Sequence, residues 1–206
     1  MKAENKHAKI ITAATKVFAK KGFFTARISD IAKEAKVADG TIYLYFNNKY
    51  DILLSVFQEE IGKIVEKTTR LLAQEQDPEQ MLVVYANQHL QAMKKIRYLA
   101  EVVQIELRQP NKLIKEYRDT TFGAYTGIIA DIIRLGQASE VFRPDIIPEI
   151  AARGFFGALD EVSRVWNPSM ESHYSVEEVT DQLLGMFLRG ICHPAEELSP
   201  FSKKST

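Results

Sequence analysis

Apolar residues recur at three- and four-residue intervals along nearly the whole chain, a rhythm that admits helices and little else. Ile10, Ile11, Ala14, Val17 and Phe18 form one stripe of a first helix, which Gly22 ends. Ile28, Ile31, Ala32 and Ala35 mark a short second helix. Gly40 to Phe46 form a third of about two turns, and Asn47 and Asn48 turn the chain into a long fourth that begins near Lys49. Ile52, Leu53, Val56, Phe57, Ile61, Ile64 and Val65 keep one face of that helix buried. Asp77 as N-cap and Pro78 at the first helical position open a fifth. A sixth runs from about Arg97 to Leu107. Pro110 and Asn111 cap a seventh that ends around Gly136. An eighth runs from about Pro148 to Trp166, and Ser175 with Glu178 makes a capping box for a ninth ending near Gly190. No stretch alternates as a strand does. The predicted architecture is all-α with about nine helices, a small N-terminal three-helix unit followed by a larger bundle.

Charge separates the same two parts. The 206 residues carry 27 Lys and Arg against 27 Asp and Glu, a net charge of zero. Taken alone, that balance argues against nucleic acid as a partner. Residues 1–50, however, hold ten basic and four acidic side chains, a net +6, and the rest is therefore −6. A basic head on an acidic body suggests two jobs. We divide the chain into a head at 1–50, a body at 51–195 and a polar tail at 196–206.

Other function classes fall away. The sole cysteine, Cys192, excludes an internal disulfide and a Cys-cluster metal site, which fits a reducing compartment. The first residues carry charges where a secretory segment needs apolar ones, and no apolar run approaches the roughly 18 residues that span a bilayer. A cytoplasmic protein without membrane association is expected. His7, His89, His173 and His193 are scattered without metal-ligand spacing, and His89 reads as a satisfied helix residue. There is no phosphate-binding Gly-Lys-Ser/Thr loop and no nucleophile elbow. Catalytic, metal and cofactor residues are therefore assigned to none.

The segment from Ile28 to Phe46 carries the chemistry. Two short helices meet across a three- to four-residue turn inside the +6 head, the layout of a helix-turn-helix whose second helix enters the major groove of DNA. Ile31, Ala32, Val37, Ile42 and Phe46 lock the pair together, and small Ala35 allows a close crossing. Arg27, Ser29, Asp39, Gly40, Thr41, Tyr43, Leu44, Tyr45 and Lys49 are the candidate DNA contacts. Gly40 lets the backbone approach DNA, and Thr41 offers a methyl or hydroxyl to a base edge. Tyr43, Tyr45 and Lys49 reach for phosphate oxygens.

Gly22-Phe23, Ile31-Ala32 and the run from Gly40 to Phe46 with Lys49 resemble the DNA-binding domain of the tetracycline-repressor (TetR) family over roughly residues 8–55. The resemblance implies a homodimeric transcriptional regulator that binds an inverted-repeat operator and carries a ligand-binding domain in the remaining three-quarters. Three positions depart from the family pattern. Arg27 stands where Ser or Thr commonly caps the second helix, leaving the cap missing or supplied by Thr25. Lys36 replaces a turn glycine, at a cost of about 1 kcal/mol if it is left-handed. Ala38 stands where Ser often caps the recognition helix.

A narrower likeness runs through Val37 to Phe46, Glu106 to Gln109, Gly157 to Glu161 and Trp166, which resemble the fatty-acid-degradation repressors of that family. It implies a repressor of fatty-acid breakdown genes that long-chain acyl-CoA releases from DNA. Such an effector needs an apolar channel and a cationic mouth for its phosphates. Residues 91–120 carry seven basic and four acidic side chains, +3 within a −6 body. The candidate ligand residues are Leu90, Met93, Arg97, Tyr98, Val102, Leu107, Arg108, Lys112, Phe122, Tyr125, Ile129, Phe155, Phe156, Leu159 and Trp166. Gly154, Gly157, Ala158 and Gly185 permit close packing, so the eighth and ninth helices are expected to form the dimer interface. Two alternatives stay open: a regulator of an efflux pump, with Glu101, Glu106 and Asp160 facing cationic drugs, and an enzyme acting on acyl thioesters.

Overall fold

A computed structural model of the protein describes residues 2–95, 123–165 and 173–192. They hold α1 (Lys2–Lys21), α2 (Ile28–Ala35), α3 (Asp39–Ile42), α4 (Lys49–Leu72), α5 (Pro78–Lys95), α6 (Gly123–Ala138), α7 (Pro148–Val165) and α8 (Val176–Ile191). The fold is all-α, as the periodicity requires. Its one extended contact among the described residues is an isolated antiparallel bridge between Phe142 and Cys192. No described helix is long and apolar enough to cross a membrane. The expected sixth helix and the start of the seventh lie outside the described residues. So do the 196–206 tail and Arg97, Tyr98, Val102, Leu107, Arg108, Lys112, Phe122 and Trp166.

The head is built from the predicted stripe. Ile10, Ile11, Ala14, Val17 and Phe18 of α1 are buried against Phe23, Ile31, Ala32, Ile42 and Phe46. Each large apolar side chain there contributes roughly 1.5–3 kcal/mol of burial. Gly22 ends α1 with φ +76, a conformation that costs a non-glycine residue about 1–2 kcal/mol. The recognition segment is shorter than two regular turns. Only Asp39–Ile42 is α-helical, and 43–45 continue as turns through Leu44 N–H to Thr41 O and Tyr45 N–H to Ile42 O. Asn48 immediately captures the chain, its side-chain oxygen accepting from Tyr50 N–H at 2.8 Å and Asp51 N–H at 3.0 Å, so that α4 starts there.

The departures at the caps have distinct outcomes. Arg27 caps α2 by position only, since a guanidinium has no acceptor. Asp30 works in reverse, accepting from the Arg27 backbone N–H at 3.0 Å and from Lys21 Nζ at 2.7 Å. Those bonds, Lys21 first, hold its carboxyl below the usual aspartate range. Lys36 is left-handed at φ 56, as a replaced turn glycine must be. Ala38 provides no side-chain cap to α3.

In the body, α5 is central and packs against α4, α6, α7 and α8. Pro78 opens it, with Asp77 Oδ1 accepting from Glu79 N–H at 3.0 Å. The Ser175–Glu178 capping box starts α8 as expected. Thr180 of α8, fully buried, donates to Asn87 of α5 at 3.0 Å. The expected boundary at residue 50 falls inside α4, whose first half (Ile52, Leu53, Val56, Phe57) is buried and whose helix packs on both α1 and α5. One helix thus joins the two parts.

Candidate functional site

The candidate DNA-contacting residues lie on the outside of the head. Arg27, Ser29, Asp39, Gly40, Tyr43 and Leu44 are exposed, Leu44 by 80%, while Thr41 and Tyr45 are half-buried. Ile42 and Phe46 point into the core, which turns Tyr43 and Leu44 outward. An 80% exposed leucine on an otherwise well-packed turn has no role inside the fold. Gly40 adds to this: its φ is not positive, and a Cβ there would meet nothing within 4 Å. Neither the backbone nor the packing of the fold requires a glycine at this position. Tyr45 instead leans inward, its ring 6.2 Å from that of His7, which also stacks on Phe46 at 5.0 Å.

Lys49 is corrected. Expected to donate to phosphate, its ammonium donates to the carbonyls of Phe23 at 2.8 Å, Ala26 at 2.9 Å and Phe24 at 3.2 Å. It also lies 4.6 Å from the centre of the Phe23 ring. All three ammonium hydrogens are therefore used within the chain. Lys49 ties the start of α4 to the turn between α1 and α2. Burial draws its pKa below the ordinary lysine value, while the carbonyl dipoles favour the charged form.

The candidate ligand residues that are described converge in the body. Leu90 and Met93 of α5, Tyr125 and Ile129 of α6, and Phe156 and Leu159 of α7 are all buried in one apolar cluster. The ring of Phe156 meets Tyr125 edge-on at 6.0 Å. Phe155 faces the other way, stacked on Phe187 of α8 at 4.5 Å.

Two features escaped the sequence reading. One is a polar chain inside this cluster. Tyr85 of α5 donates to the Tyr125 backbone carbonyl at 3.2 Å, and the Tyr125 hydroxyl meets His89 Nδ1 at 3.0 Å. His89 is 1% exposed, and burial pushes its pKa down to about 3. Burial raises both tyrosine hydroxyls, so the chain is neutral at ordinary pH. The i, i+4 spacing of Tyr85 and His89 on a helix was the available signal.

The other feature is a groove of about 250 Å³ between α4 and α5, lined by Glu60, Lys63, Ile64, Lys67, Gln88, Gln91, Ala92 and Lys95. Lys63 is held by Glu59 and Glu60 at 2.9 and 2.8 Å, while Lys67 and Lys95 form no ion pair among the described residues. Lys95 belongs to the cationic stretch read from the sequence, but its neighbours here come from α4. The helical spacing of Lys63 and Lys67 on a long amphipathic helix was the only clue.

Comparison with known proteins identifies the family. Residues 10–56 match bacterial regulatory proteins of the tetR family, and residues 57–190 match the C-terminal region of YsiA-like protein. The fatty acid metabolism regulator protein of Bacillus subtilis (strain 168) is 32% identical over 186 residues, 90% of this chain and 95% of that one. The crystal structure of the transcriptional regulator FadR from Bacillus subtilis in complex with stearoyl-CoA superposes with a TM-score of 0.77 at 32% identity, covering 89% of this chain and 98% of that one. The fatty acid degradation regulator FadR from Bacillus halodurans gives a TM-score of 0.76 at 34% identity with the same coverage. With a basic head that presents Gly40, Tyr43 and Leu44 to solvent and a body whose apolar cluster lies on α5, α6 and α7, this chain is a DNA-binding transcriptional regulator and belongs to the TetR family.

Proposed function

We propose that the protein is a homodimeric repressor that binds an inverted-repeat operator and is released from it by long-chain acyl-CoA. The observation that carries the effector reading is the likeness, over 89% of this chain, to a regulator whose structure holds stearoyl-CoA. The buried apolar cluster of Leu90, Met93, Tyr125, Ile129, Phe156 and Leu159 supports an acyl chain as occupant. Lys67 and Lys95 beside the α4–α5 groove supply cationic charge suited to phosphates. The DNA contacts are Arg27, Ser29, Asp39, Gly40, Thr41, Tyr43, Leu44 and Tyr45.

The dimer forms through α7 and α8, the eighth and ninth helices of the sequence reading. Ile147 just before α7 and Ile150 in its first turn are 57% and 65% exposed, and Met186 of α8 is 64% exposed. Gly154 and Gly157 continue the α7 stripe, and a Cβ on either would meet nothing within 4 Å. An exposed apolar face with small residues along it suits a close isologous contact. The two recognition segments then sit about 35 Å apart, one turn of DNA.

Release follows from linkage. Effector and DNA prefer different dimer conformations, so each weakens the other by the same factor, about 150-fold for a coupling of about 3 kcal/mol. α4 is the physical link, since it packs on α1 at one end and on α5 at the other. Micromolar long-chain acyl-CoA is expected to abolish a gel shift on the inverted-repeat operator, while free fatty acid leaves it intact. Release by lipophilic cations, with acyl-CoA inert, would replace this reading with the efflux-pump one.

A further inference from the structure

Two buried side-chain atoms have no hydrogen-bond partner among the described residues, Thr68 Oγ1 and His89 Nε2. A helical threonine hydroxyl can turn to a carbonyl of its own preceding turn, so the first is cheaply resolved. His89 has no such freedom. Its Nδ1 is held 3.0 Å from the Tyr125 hydroxyl, its ring lies nearly parallel to Tyr125 at 20°, and Phe156 abuts it edge-on at 5.3 Å.

The network also decides which nitrogen carries the proton. The Tyr85 hydroxyl spends its hydrogen on the Tyr125 backbone carbonyl. If Tyr125 donates to His89 Nδ1, its own hydrogen is used and Nε2 bears an N–H. In the opposite arrangement the Tyr125 hydrogen is left with only the Tyr85 side chain to turn to, and Nε2 keeps a lone pair. The first is favoured because it gives the phenol hydrogen to an imidazole nitrogen, a better acceptor than a phenol oxygen. His89 therefore holds a fixed, neutral N–H donor inside an apolar cluster.

The surroundings select what it can meet. The buried polar residues among those described are Thr68, His89, Ser163 and Thr180, none of them charged. A free carboxylate would lose its hydration there without a counter-cation. The Asp160 carboxylate, close enough to raise the Tyr125 pKa, acts further against an anion. A cation would face an N–H rather than an acceptor. An uncharged carbonyl oxygen satisfies the donor and brings no charge into the cluster.

We propose that His89 Nε2–H binds the thioester carbonyl of an acyl-CoA effector, making His89 the residue that distinguishes an acyl thioester from a ligand of equal length without that carbonyl. This rests on the acyl-CoA reading above and adds to it a specific atom. The test is calorimetric titration of the full-length protein with palmitoyl-CoA and with S-hexadecyl-CoA, in which a methylene replaces the carbonyl. Wild type is expected to favour the thioester about tenfold. His89→Leu should bind both with the weaker affinity, and His89→Gln, which restores an amide N–H, should recover part of the preference. A wild-type ratio near one, or a tenfold preference that survives in the leucine variant, overturns the inference while leaving acyl-CoA as effector. Binding of neither compound overturns the acyl-CoA reading and the inference with it. Should His89→Leu fail to fold, the wild-type ratio and the glutamine variant still decide.

Discussion

Replacing Lys49 by methionine separates two roles that the sequence cannot. Methionine keeps an unbranched apolar stem and removes the ammonium. In the structure that ammonium serves three carbonyls at 2.8, 2.9 and 3.2 Å and sits over the Phe23 ring at 4.6 Å. A hydrogen bond to a charged group is worth about 1.5–3 kcal/mol, and an exposed cation–π contact about 0.5–1 kcal/mol. Lys49 is half-buried, so solvent screens part of this, and water can reach the Phe24 carbonyl once the side chain is cut. The sum discounts to about 2–3 kcal/mol. For a chain of this size, in which α4 ties head to body, each kcal/mol moves the melting temperature by about 2–4 °C, so a fall of about 4–12 °C is expected.

The phosphate-donor role predicts something different. Removing one phosphate contact would reduce the slope of log K against log salt by about 0.9 and leave stability alone. Thermal melting by circular dichroism, combined with salt titrations on an operator selected from random duplexes, reads both quantities. Lys49→Met should lower the melting temperature and leave the salt slope unchanged, with affinity recovering on cooling. Arg27→Ala is the control, because Arg27 is exposed and its guanidinium makes no ion pair among the described residues. It should flatten the slope by about 0.9 and change stability by less than about 0.5 kcal/mol. A flattened slope with unaltered melting for Lys49→Met would refute the clamp.

Lys36→Gly should stabilise the head by about 0.5–1 kcal/mol in urea denaturation, since relief of the left-handed strain at φ 56 exceeds the added unfolded-state entropy. Gly136→Ala should cost about 1–3 kcal/mol, because a Cβ there would lie 2.0 Å from the Phe142 ring, which is fully buried; unchanged stability would mean that the Phe142 loop shifts freely. His89 titrates at about 3 in the fold against about 6.5 unfolded, so between those values the unfolded chain binds a proton that the folded one refuses. Its effect on stability is absent above pH 6.5 and grows as pH falls. The loss reaches about 2 kcal/mol at pH 5 relative to pH 8, and a urea titration of His89→Gln should lack that component.

What the sequence disclosed divides along a physical line. The head was legible because its core is local: five α1 residues at helical spacing and five from Phe23 to Phe46 meet within a short span, and Gly22, Pro78 and Ser175 announce helix ends through their own backbone chemistry. Even the weak points at Arg27 and Lys36 were readable, since each breaks a rule about one position. Polar side chains obeyed no such local rule. Lys49 finds its acceptors 23–26 residues upstream, and His89 finds Tyr125 36 residues downstream. A count of charges along 91–120 located Lys95 but not the α4 lysines that share its groove.

The cause is energetic rather than accidental. Apolar burial is non-directional, so a stripe is informative without its partner. A buried donor is informative only once its acceptor, or the lack of one, is known. The same distinction orders the functional residues. Tyr43 and Leu44 are exposed, as side chains proposed to meet DNA must be. Lys49 shares their segment but donates to three carbonyls of the chain, and the methionine variant decides between scaffold and phosphate contact. His89 looked like scaffold but is engaged at one nitrogen only. Its second nitrogen is unmatched on α5, the helix that packs directly on α4 and through it reaches the DNA-binding head. Under the proposed effector reading, a ligand that satisfies Nε2 would touch the helix that packs on α4, and α4 packs on α1 of the head.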